Sequence, residues 1–231
     1  MFTQNNNGFP TCMKIVDLGC ASGPNTLFLI SHILDTIKDL CNNYNLKNLP
    51  QLEVFLNDLP QNDFNNLFKL NTDFSRENGK ERKIECFVYG VPASFYGRLF
   101  PTNSLHFAYS SFSVHWLSQI PEGLGKNNNE NIYIAPNSPP QVCEAYAKQF
   151  QKDFSRFLSL RSEEITSGGR MVLAFVGRNV VAKYVFQLLA VLGETLSDMV
   201  AQVITNYGMF SITIHLLPYH PCMESNFASE C

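Results

Sequence analysis

The stretch KIVDLGCASGPNT, residues 14–26, joins an apolar run to a turn of small residues and then to the start of a helix. Residues 13–18 are largely apolar and include β-branched side chains, which is typical of a buried strand. Gly19 and Gly23 permit a tight turn and a close approach of the backbone to a ligand. Pro24 suits the first turn of the helix that follows. The stretch therefore predicts a strand–turn–helix unit with a ligand at its turn.

Strands and helices alternate along the rest of the chain. The hydrophobic pattern predicts helices over residues 24–41, 62–70, 140–166 and 182–203, and further strands over residues 52–58, 84–91, 104–113, 167–177 and 210–219. Such alternation predicts an α/β fold with a largely parallel sheet. Ligands of these sheets bind at the carboxyl ends of the strands, where the polar clusters of this sequence also fall.

The glycines and acids around the first turn argue against a dinucleotide. A dinucleotide fold requires G-x-G-x-x-G to seat a pyrophosphate, whereas the spacing here is G-x-x-x-G and Asp17 precedes it. A carboxylate there repels a pyrophosphate and attracts an ammonium group, which favours S-adenosylmethionine. Asp58, at the end of the second strand, is placed to accept the hydroxyl hydrogens of a ribose. The alternatives are that Asp17 binds only the amides of its turn and that Asp58 caps the next helix.

Two later motifs carry aromatic residues that could line a ligand pocket. Ser94 and Phe95 follow the third strand, where the ring could stack on an adenine and the hydroxyl could bond its edge. The alternative is a loop whose aromatic rings fill the core. Phe112, His115 and Trp116 follow the fourth strand and could form a pocket with polar groups. The alternative there is a purely structural histidine.

The composition excludes several classes of protein. The chain has 231 residues, a net charge of −3 and 16% charged residues, so it predicts no nucleic-acid surface. Its seven scattered cysteines include no CxxC pair, which argues against a disulfide framework or a structural zinc site. It shows no secretory signal and no apolar run near the ~18 residues of a membrane span. We therefore expect a cytoplasmic protein that contacts neither a membrane nor nucleic acid.

Taken together, the motifs resemble those of the plant SABATH methyltransferases. That family transfers the methyl group of S-adenosylmethionine to small-molecule carboxylates or, in one branch, to xanthine nitrogens. The likeness runs from about residue 14 to residue 178 and is carried by DLGCASGPNT, FLNDLPQNDFN, GVPASFYGRLFP, SSFSVHWLSQIP and SGGRMVLAFVGR. It implies an α/β, Rossmann-like methyltransferase sheet with flanking helices and a partial, mostly helical cap.

The resemblance also implies a division of the chain and roles for single residues. We expect a flexible lead-in (1–12), a cofactor-binding core with part of the cap (13–178), and the remainder of the core with an aberrant tail (179–231). The residues implied around S-adenosylmethionine are Asp17, Cys20, Asn25, Asp58, Leu59, Ser94, Phe95 and Ser111. Those implied around the substrate, a small carboxylic acid, are Phe112, His115 and Trp116, with Ser113 on the wall between the two ligands.

Two further expectations concern a metal and an assembly. Asn128 aligns with one ligand of a Mg²⁺ ion that some family members hold in the cap, and the other ligands are missing here. A homodimer is compatible with the family. Methylation of a carboxylate requires no catalytic base, because an acid with a pKa near ~4 is already ionised at pH 7. We therefore predict residues that position the reactants and no catalytic dyad.

The chain also departs from the family pattern. Phe112 stands where many members have Tyr, and the pair His115–Trp116 differs from the Met-Trp pair of salicylate-preferring members. The aromatic residues still favour an aromatic acid as substrate. The chain begins late and ends early against the pattern, so we expect a product truncated at both ends, weakly active and poorly soluble. The alternative functions are N-methylation of a xanthine-like ring and a non-catalytic truncated homologue.

Overall fold

The computed structural model describes residues 10–44, 49–71, 84–122 and 139–175. These residues belong to two compact units. The first runs to Val114 and resumes over Arg156–Ala174, and the second contains His115–Ser155 and Phe175. The helix predicted over 182–203, the strand predicted over 210–219 and Asn128 lie outside the described residues.

The first unit is built on a sheet that has five strands among the described residues, and their parallel pairing confirms the predicted, largely parallel sheet. Its strands stand in the order β3-β2-β1-β4-β5, which is a Rossmann-like order. The elements along the chain are β1 (Cys12–Leu18), α1 (Asn25–Asn43), β2 (Gln51–Asp58), α2 (64–71), β3 (Cys86–Pro92), β4 (Leu105–Ser111), α3 (Pro140–Glu164) and β5 (Ile165–Ala174).

One predicted boundary is wrong. The pattern extended the long helix to Thr166, but α3 ends at Glu164 and β5 begins at the next residue. Ile165 pairs with Leu105 of β4, and the register then shifts before Arg170 pairs with Phe107. Because Ile165 and Thr166 are both β-branched, they suit a strand, and pairing with β4 outweighs the helical periodicity.

Helix α1 packs on the sheet through one apolar stripe. Leu27, Ile30, Leu34 and Ile37 are buried at helical spacing and join the core residues of β1 and β2. Each such side chain contributes about 1.5–3 kcal/mol when it leaves water. This packing fixes where α1 begins, and with it the turn that connects β1 to α1.

The strand register brings the predicted polar clusters to one edge of the sheet. Asp17 stands beside Leu56 of β2 and Tyr109 of β4, and Asp58 is paired with Pro92 of β3. The chain leaves β1 for β2 on one side and later returns to β4 on the other. A crevice at the carboxyl ends of such a switch is the usual ligand site. Among the described residues, no helix is long and apolar enough to cross a membrane.

Candidate functional site

The turn after β1, residues 19–24, is called the glycine loop below. Gly19 has a left-handed φ of 85°, a conformation that a side chain strongly disfavours. A Cβ at this position would overlap the side chain of Ser113, whose Oγ lies 3.0 Å from the Gly19 carbonyl oxygen. Gly19 is thus required for both its backbone shape and its lack of a side chain.

Asn57, near the end of β2, forms hydrogen bonds with residues at the ends of β1 and β3. Its carbonyl oxygen accepts hydrogen bonds from Gly19 N (2.8 Å) and Cys20 N (3.0 Å). Its fully buried side-chain amide donates to Val91 O (2.8 Å) and Ala93 O (2.7 Å). Sequence reasoning missed this role. The only signal was an asparagine inside an otherwise apolar strand, directly before Asp58.

Asp17 is a buried carboxylate whose charge is poorly compensated. Its side chain is 6% exposed. Burial and the nearby charge of Asp58 together raise its pKa from 3.8 to about 6, and the Thr26 hydroxyl offsets only part of the rise. Burial favours the protonated form of this acid, and a cation bound beside it would favour the ionised carboxylate. Asp17 is therefore a candidate binding site for a cationic ligand.

We expect Asp17→Asn to stabilise the unliganded chain by about 1–3 kcal/mol at pH 7. The pKa of Asp17 in the folded chain, about 6, lies above its ordinary value of 3.8. The group therefore contributes stability below about pH 4, and this contribution is lost as the pH rises through about 6. Urea unfolding of both proteins at pH 4 and pH 7 measures the difference. A gain of equal size at both pH values would contradict the assignment.

Asp58 is half-buried and accepts a hydrogen bond from the glycine loop. Its Oδ2 accepts a hydrogen bond from Ala21 N (2.8 Å) and its Oδ1 accepts one from Leu59 N (2.7 Å). A carboxylate oxygen has a second lone pair, so both oxygens can still accept from a ligand. Asp63 caps α2, since its Oδ1 accepts from Asn66 N at 2.9 Å. The alternative that Asp58 caps this helix is therefore wrong.

Cys20 and Asn25 stand at the two ends of the glycine loop. Cys20 is buried, and its thiol lies 3.4 Å from the Ala21 carbonyl oxygen. Asn25 is exposed and begins α1, directly after Pro24 at the N-cap. Among the described residues, no side chain caps this helix, and no acid lies in its first turn. Leu27 N and Phe28 N donate to Pro24 O, so the amides of the first two helical residues remain available to an anionic group.

The loop after β3 carries Ser94 and Phe95. Ser94 is exposed, and its Oγ accepts a hydrogen bond from Tyr96 N at 3.3 Å. The Phe95 ring packs edge to face against Tyr96 and Phe157, with centroids 4.7 and 5.6 Å apart. These contacts fit the alternative of a core-filling ring, and a role beside an adenine stays a prediction.

A buried ion pair at the end of α3 holds this same loop. The Arg161 guanidinium donates to Phe95 O, to Gly97 O and to Glu164 Oε1, each at 2.9 Å. Glu164 Oε1 also accepts from Leu99 N at 2.7 Å. Both charged side chains are 0% exposed. Sequence reasoning missed this role of the pair, because the carbonyls of Phe95 and Gly97 lie 66 and 64 residues from Arg161.

Ser111 is the last residue of β4 and Phe112 follows it, at the same edge of the sheet. Phe112 N donates to Ala174 O at 2.7 Å. Phe112 has a left-handed φ of 54° and a side chain that is 59% exposed. A non-glycine residue in this conformation costs about 1–3 kcal/mol and such strain is common at ligand sites. The first unit thus gathers its predicted residues at the carboxyl ends of the strands.

His115 and Trp116 lie in the second unit. Burial lowers the pKa of His115, so its ring is neutral at pH 7. Its Nδ1 is buried and has no hydrogen-bond partner among the described residues. The indole of Trp116 is half exposed, with its centroid 5.8 Å from that of His115. Their role toward a substrate stays a prediction.

A buried aspartate fixes the segment that follows these two rings. Asp153 accepts hydrogen bonds from Ser118 N (2.9 Å), Ser118 Oγ (2.7 Å) and Gln149 Nε2 (2.9 Å). Within the described ranges, no group of three or more His, Cys, Asp or Glu side chains could hold a metal ion. The predicted ligand Asn128 is outside those ranges, so the Mg²⁺ hypothesis stays open.

Comparison with known proteins extends these observations. The model of a family described as SAM-dependent carboxyl methyltransferase matches residues 3–224. The chain is 53% identical over 176 residues to a salicylate/benzoate carboxyl methyltransferase of Arabidopsis thaliana, covering 76% of this chain and 46% of that protein. It is 42% identical over 224 residues to a probable 7-methylxanthine methyltransferase of Camellia ptilophylla, covering 92% and 60%.

A solved structure supports the fold. That of a loganic acid methyltransferase with S-adenosylhomocysteine has a TM-score of 0.73 and 31% identity, and the match covers 93% of this chain and 61% of that one. The predicted Rossmann-like methyltransferase fold is thereby confirmed. The chain spans about half the length of the curated relatives it matches first, from 46 to 48%.

Proposed function

Since this chain belongs to the family of S-adenosylmethionine-dependent carboxyl methyltransferases, as its resemblance to the SABATH enzymes predicted, we propose that it methylates a small aromatic acid. The reaction would convert the carboxylate into a methyl ester. The observation that carries the proposal is the buried Asp17, with its pKa raised to about 6, beside a glycine loop gripped by Asp58. This site is suited to a cationic nucleoside without a phosphate.

The residues in and around the glycine loop offer binding partners for the ammonium, carboxylate and ribose hydroxyl groups of S-adenosylmethionine. Asp17 would bind the ammonium group of the methionine part of the cofactor. The uncapped amides that begin α1 would face the carboxylate of the same methionine part. The free lone pairs of Asp58 would accept the ribose hydroxyl hydrogens. When bound, S-adenosylmethionine supplies a methyl group activated by a sulfonium.

On the acceptor side, the chain has to orient a nucleophile that is already formed. A carboxylic acid with a pKa near ~4 is ionised at pH 7, so no base is needed. In-line alignment of oxygen, methyl carbon and sulfur can lower the barrier by up to about 7–11 kcal/mol. We assign the orientation of the acid to His115 and Trp116, as N–H donors, and apolar contact to Phe112.

We expect Asp58→Ala to weaken binding of S-adenosylhomocysteine by about 1.5–3 kcal/mol, the range of a charge-assisted hydrogen bond. The change removes the acceptor for the ribose and also the contact with Ala21 N. Isothermal titration of both proteins measures the loss. Asp39→Ala is the control, because that carboxylate is exposed on α1, fourteen residues after the start of the helix. Equal affinity of Asp58→Ala and the unaltered chain would refute the ribose assignment.

The proposed reaction is tested with a panel of acceptors. The chain is incubated with S-adenosylmethionine labelled in its methyl group and with benzenoid acids, other small acids and xanthines. We expect label in methyl esters, and most in those of aromatic acids. Label confined to xanthines would overturn the carboxylate proposal.

N-methylation of a xanthine-like ring is the second candidate. It is favoured by the relative from Camellia ptilophylla, a probable 7-methylxanthine methyltransferase whose match covers 92% of this chain. A neutral ring nitrogen is a weaker nucleophile than a carboxylate, so it depends more on a polar group that orients the ring. The same panel separates the two candidates, because the labelled products differ in alkali stability.

We also propose a cytoplasmic location. Among the described residues, Cys12, Cys20, Cys41 and Cys86 are free thiols. Unpaired thiols in this number suit a reducing compartment. A homodimer stays a prediction, which light scattering would test.

A further inference from the structure

The glycine loop holds a backbone shape that it cannot maintain by itself. Gly19 and Ala21 have left-handed φ values of 85° and 55°. For Ala21, which carries a Cβ, this conformation is strained. Some other part of the chain must therefore stabilise the loop.

The stabilising contacts come from residues 57–66. Besides the bonds of Asn57 and Asp58 to the loop amides, two side-chain amides bind the loop carbonyls. Asn62 Nδ2 donates to Ala21 O at 3.0 Å, and Asn66 Nδ2 donates to Ser22 O at 2.9 Å. Ala21 is thus held at its N–H by Asp58 and at its carbonyl by Asn62.

These two amides are not needed to form their own helix. Asp63 caps α2 by accepting from Asn66 N, and the apolar contacts of α2 come from other residues, with Leu67 fully buried. Asn62 precedes α2 and Asn66 lies in its first turn, and their bonds to the neighbouring carbonyls of the glycine loop place both side chains on the same side of the helix start. The amide side chains are thereby left for the glycine loop.

We propose that Asn62 and Asn66 are positioning residues, which preset the glycine loop in the shape that binds S-adenosylmethionine. This inference rests on the proposed function of the site. Neither residue needs to touch the cofactor. A loop that is already in its bound shape loses less conformational entropy on binding, so the two amides would raise affinity without a contact to the ligand.

The test replaces each amide by an isosteric carboxylate, which cannot donate to a carbonyl. The variants are Asn62→Asp, Asn66→Asp and both together. Asn65→Asp is the matched control, since Asn65 is an exposed asparagine on the same turn of α2 whose side chain makes no hydrogen bond among the described residues. It introduces the same charge next to the same helix start.

We expect each single variant to weaken binding of S-adenosylhomocysteine about 3- to 10-fold, the double variant about 10- to 100-fold, and the control less than 2-fold. The control Asn65→Asp adds the same charge, so a loss larger than that of the control is not an effect of charge alone. Hydrogen exchange of the unliganded proteins gives a second measurement. The amides of residues 19–25 should exchange faster in the double variant than in the control, while the midpoint of thermal unfolding stays close to that of the control.

The outcomes separate this inference from the proposed function. If the unaltered chain does not bind S-adenosylhomocysteine, the proposed function fails and the inference fails with it. If the unaltered chain binds and the double variant binds equally well, with unchanged exchange, only the positioning role is overturned. If the loss of affinity follows a general loss of stability, seen as faster exchange throughout the sheet, the two amides are structural and the inference is wrong.

Discussion

Gly19→Ala is expected to destabilise the folded chain by about 2–5 kcal/mol and to weaken binding of S-adenosylhomocysteine at least about 100-fold. Alanine at the φ of 85° is strained, and its Cβ would overlap both Oγ and Cβ of Ser113. Rotation of the hydroxyl cannot relieve the clash, because the Ser113 Cβ is fixed to the backbone. Urea unfolding measures the first effect and isothermal titration the second.

The chain offers a matched control in the same loop. A Cβ at Gly23 would meet no atom within 4 Å, and its φ is not left-handed. Gly23→Ala should therefore change stability by less than about 0.5 kcal/mol. The double variant Gly19→Ala, Ser113→Gly should recover part of the loss, because it removes the clash and keeps the strained φ. A stable, fully binding Gly19→Ala protein would show that the loop does not have the described shape.

Arg161→Met is expected to cost about 3–5 kcal/mol of stability, since it removes the buried cation of Glu164 and leaves that carboxylate with the partly exposed Arg98, whose Nε lies 3.5 Å from Oε1. The change also removes the donors to Phe95 O and Gly97 O. The loop after β3 would loosen at the residues assigned to the adenine. We therefore expect weaker binding of S-adenosylhomocysteine even under conditions where the variant remains folded. Thermal unfolding and isothermal titration below the transition measure both effects.

Two comparison variants test whether the buried ion pair is the cause of the expected loss of stability. Lys148 pairs with Glu144 on the same helix, with both side chains well exposed. Lys148→Met should cost less than about 1 kcal/mol, because an exposed pair contributes little. Arg161→Lys keeps the charge and loses the planar fork, so an intermediate loss is expected. If Arg161→Met and Lys148→Met were equally stable, the buried pair would not support the loop.

The elements of the sheet could be predicted because their signals are local. The strands Gln51–Asp58 and Cys86–Pro92 lie within one or two residues of the prediction, and the comparisons confirmed the fold. The predicted helix end at Thr166 was wrong, because the pairing of Ile165 with β4 is a long-range contact. A local pattern contains no information about such a contact.

The polar residues of the site also divide into those with a local sequence signal and those whose partners are distant in the sequence. Asp17 and Asp58 were found because an acid at the end of a strand is visible in the sequence. Their ligand roles still await the binding experiments. Asn62 and Asn66 were not assigned to the glycine loop, because their partners Ala21 and Ser22 lie 41 and 44 residues away.

The sequence by itself therefore determined the alternation of strands and helices, the glycine turn and the edge of the sheet where the acids gather. These follow from periodicity and from the conformational freedom of single residues. The tertiary structure alone decided the raised pKa of Asp17, the hold of Asn57 on the strand ends, and the pairing of Arg161 with the loop after β3. Burial and hydrogen bonding between distant residues exist only once the chain is folded, because they depend on which elements become neighbours.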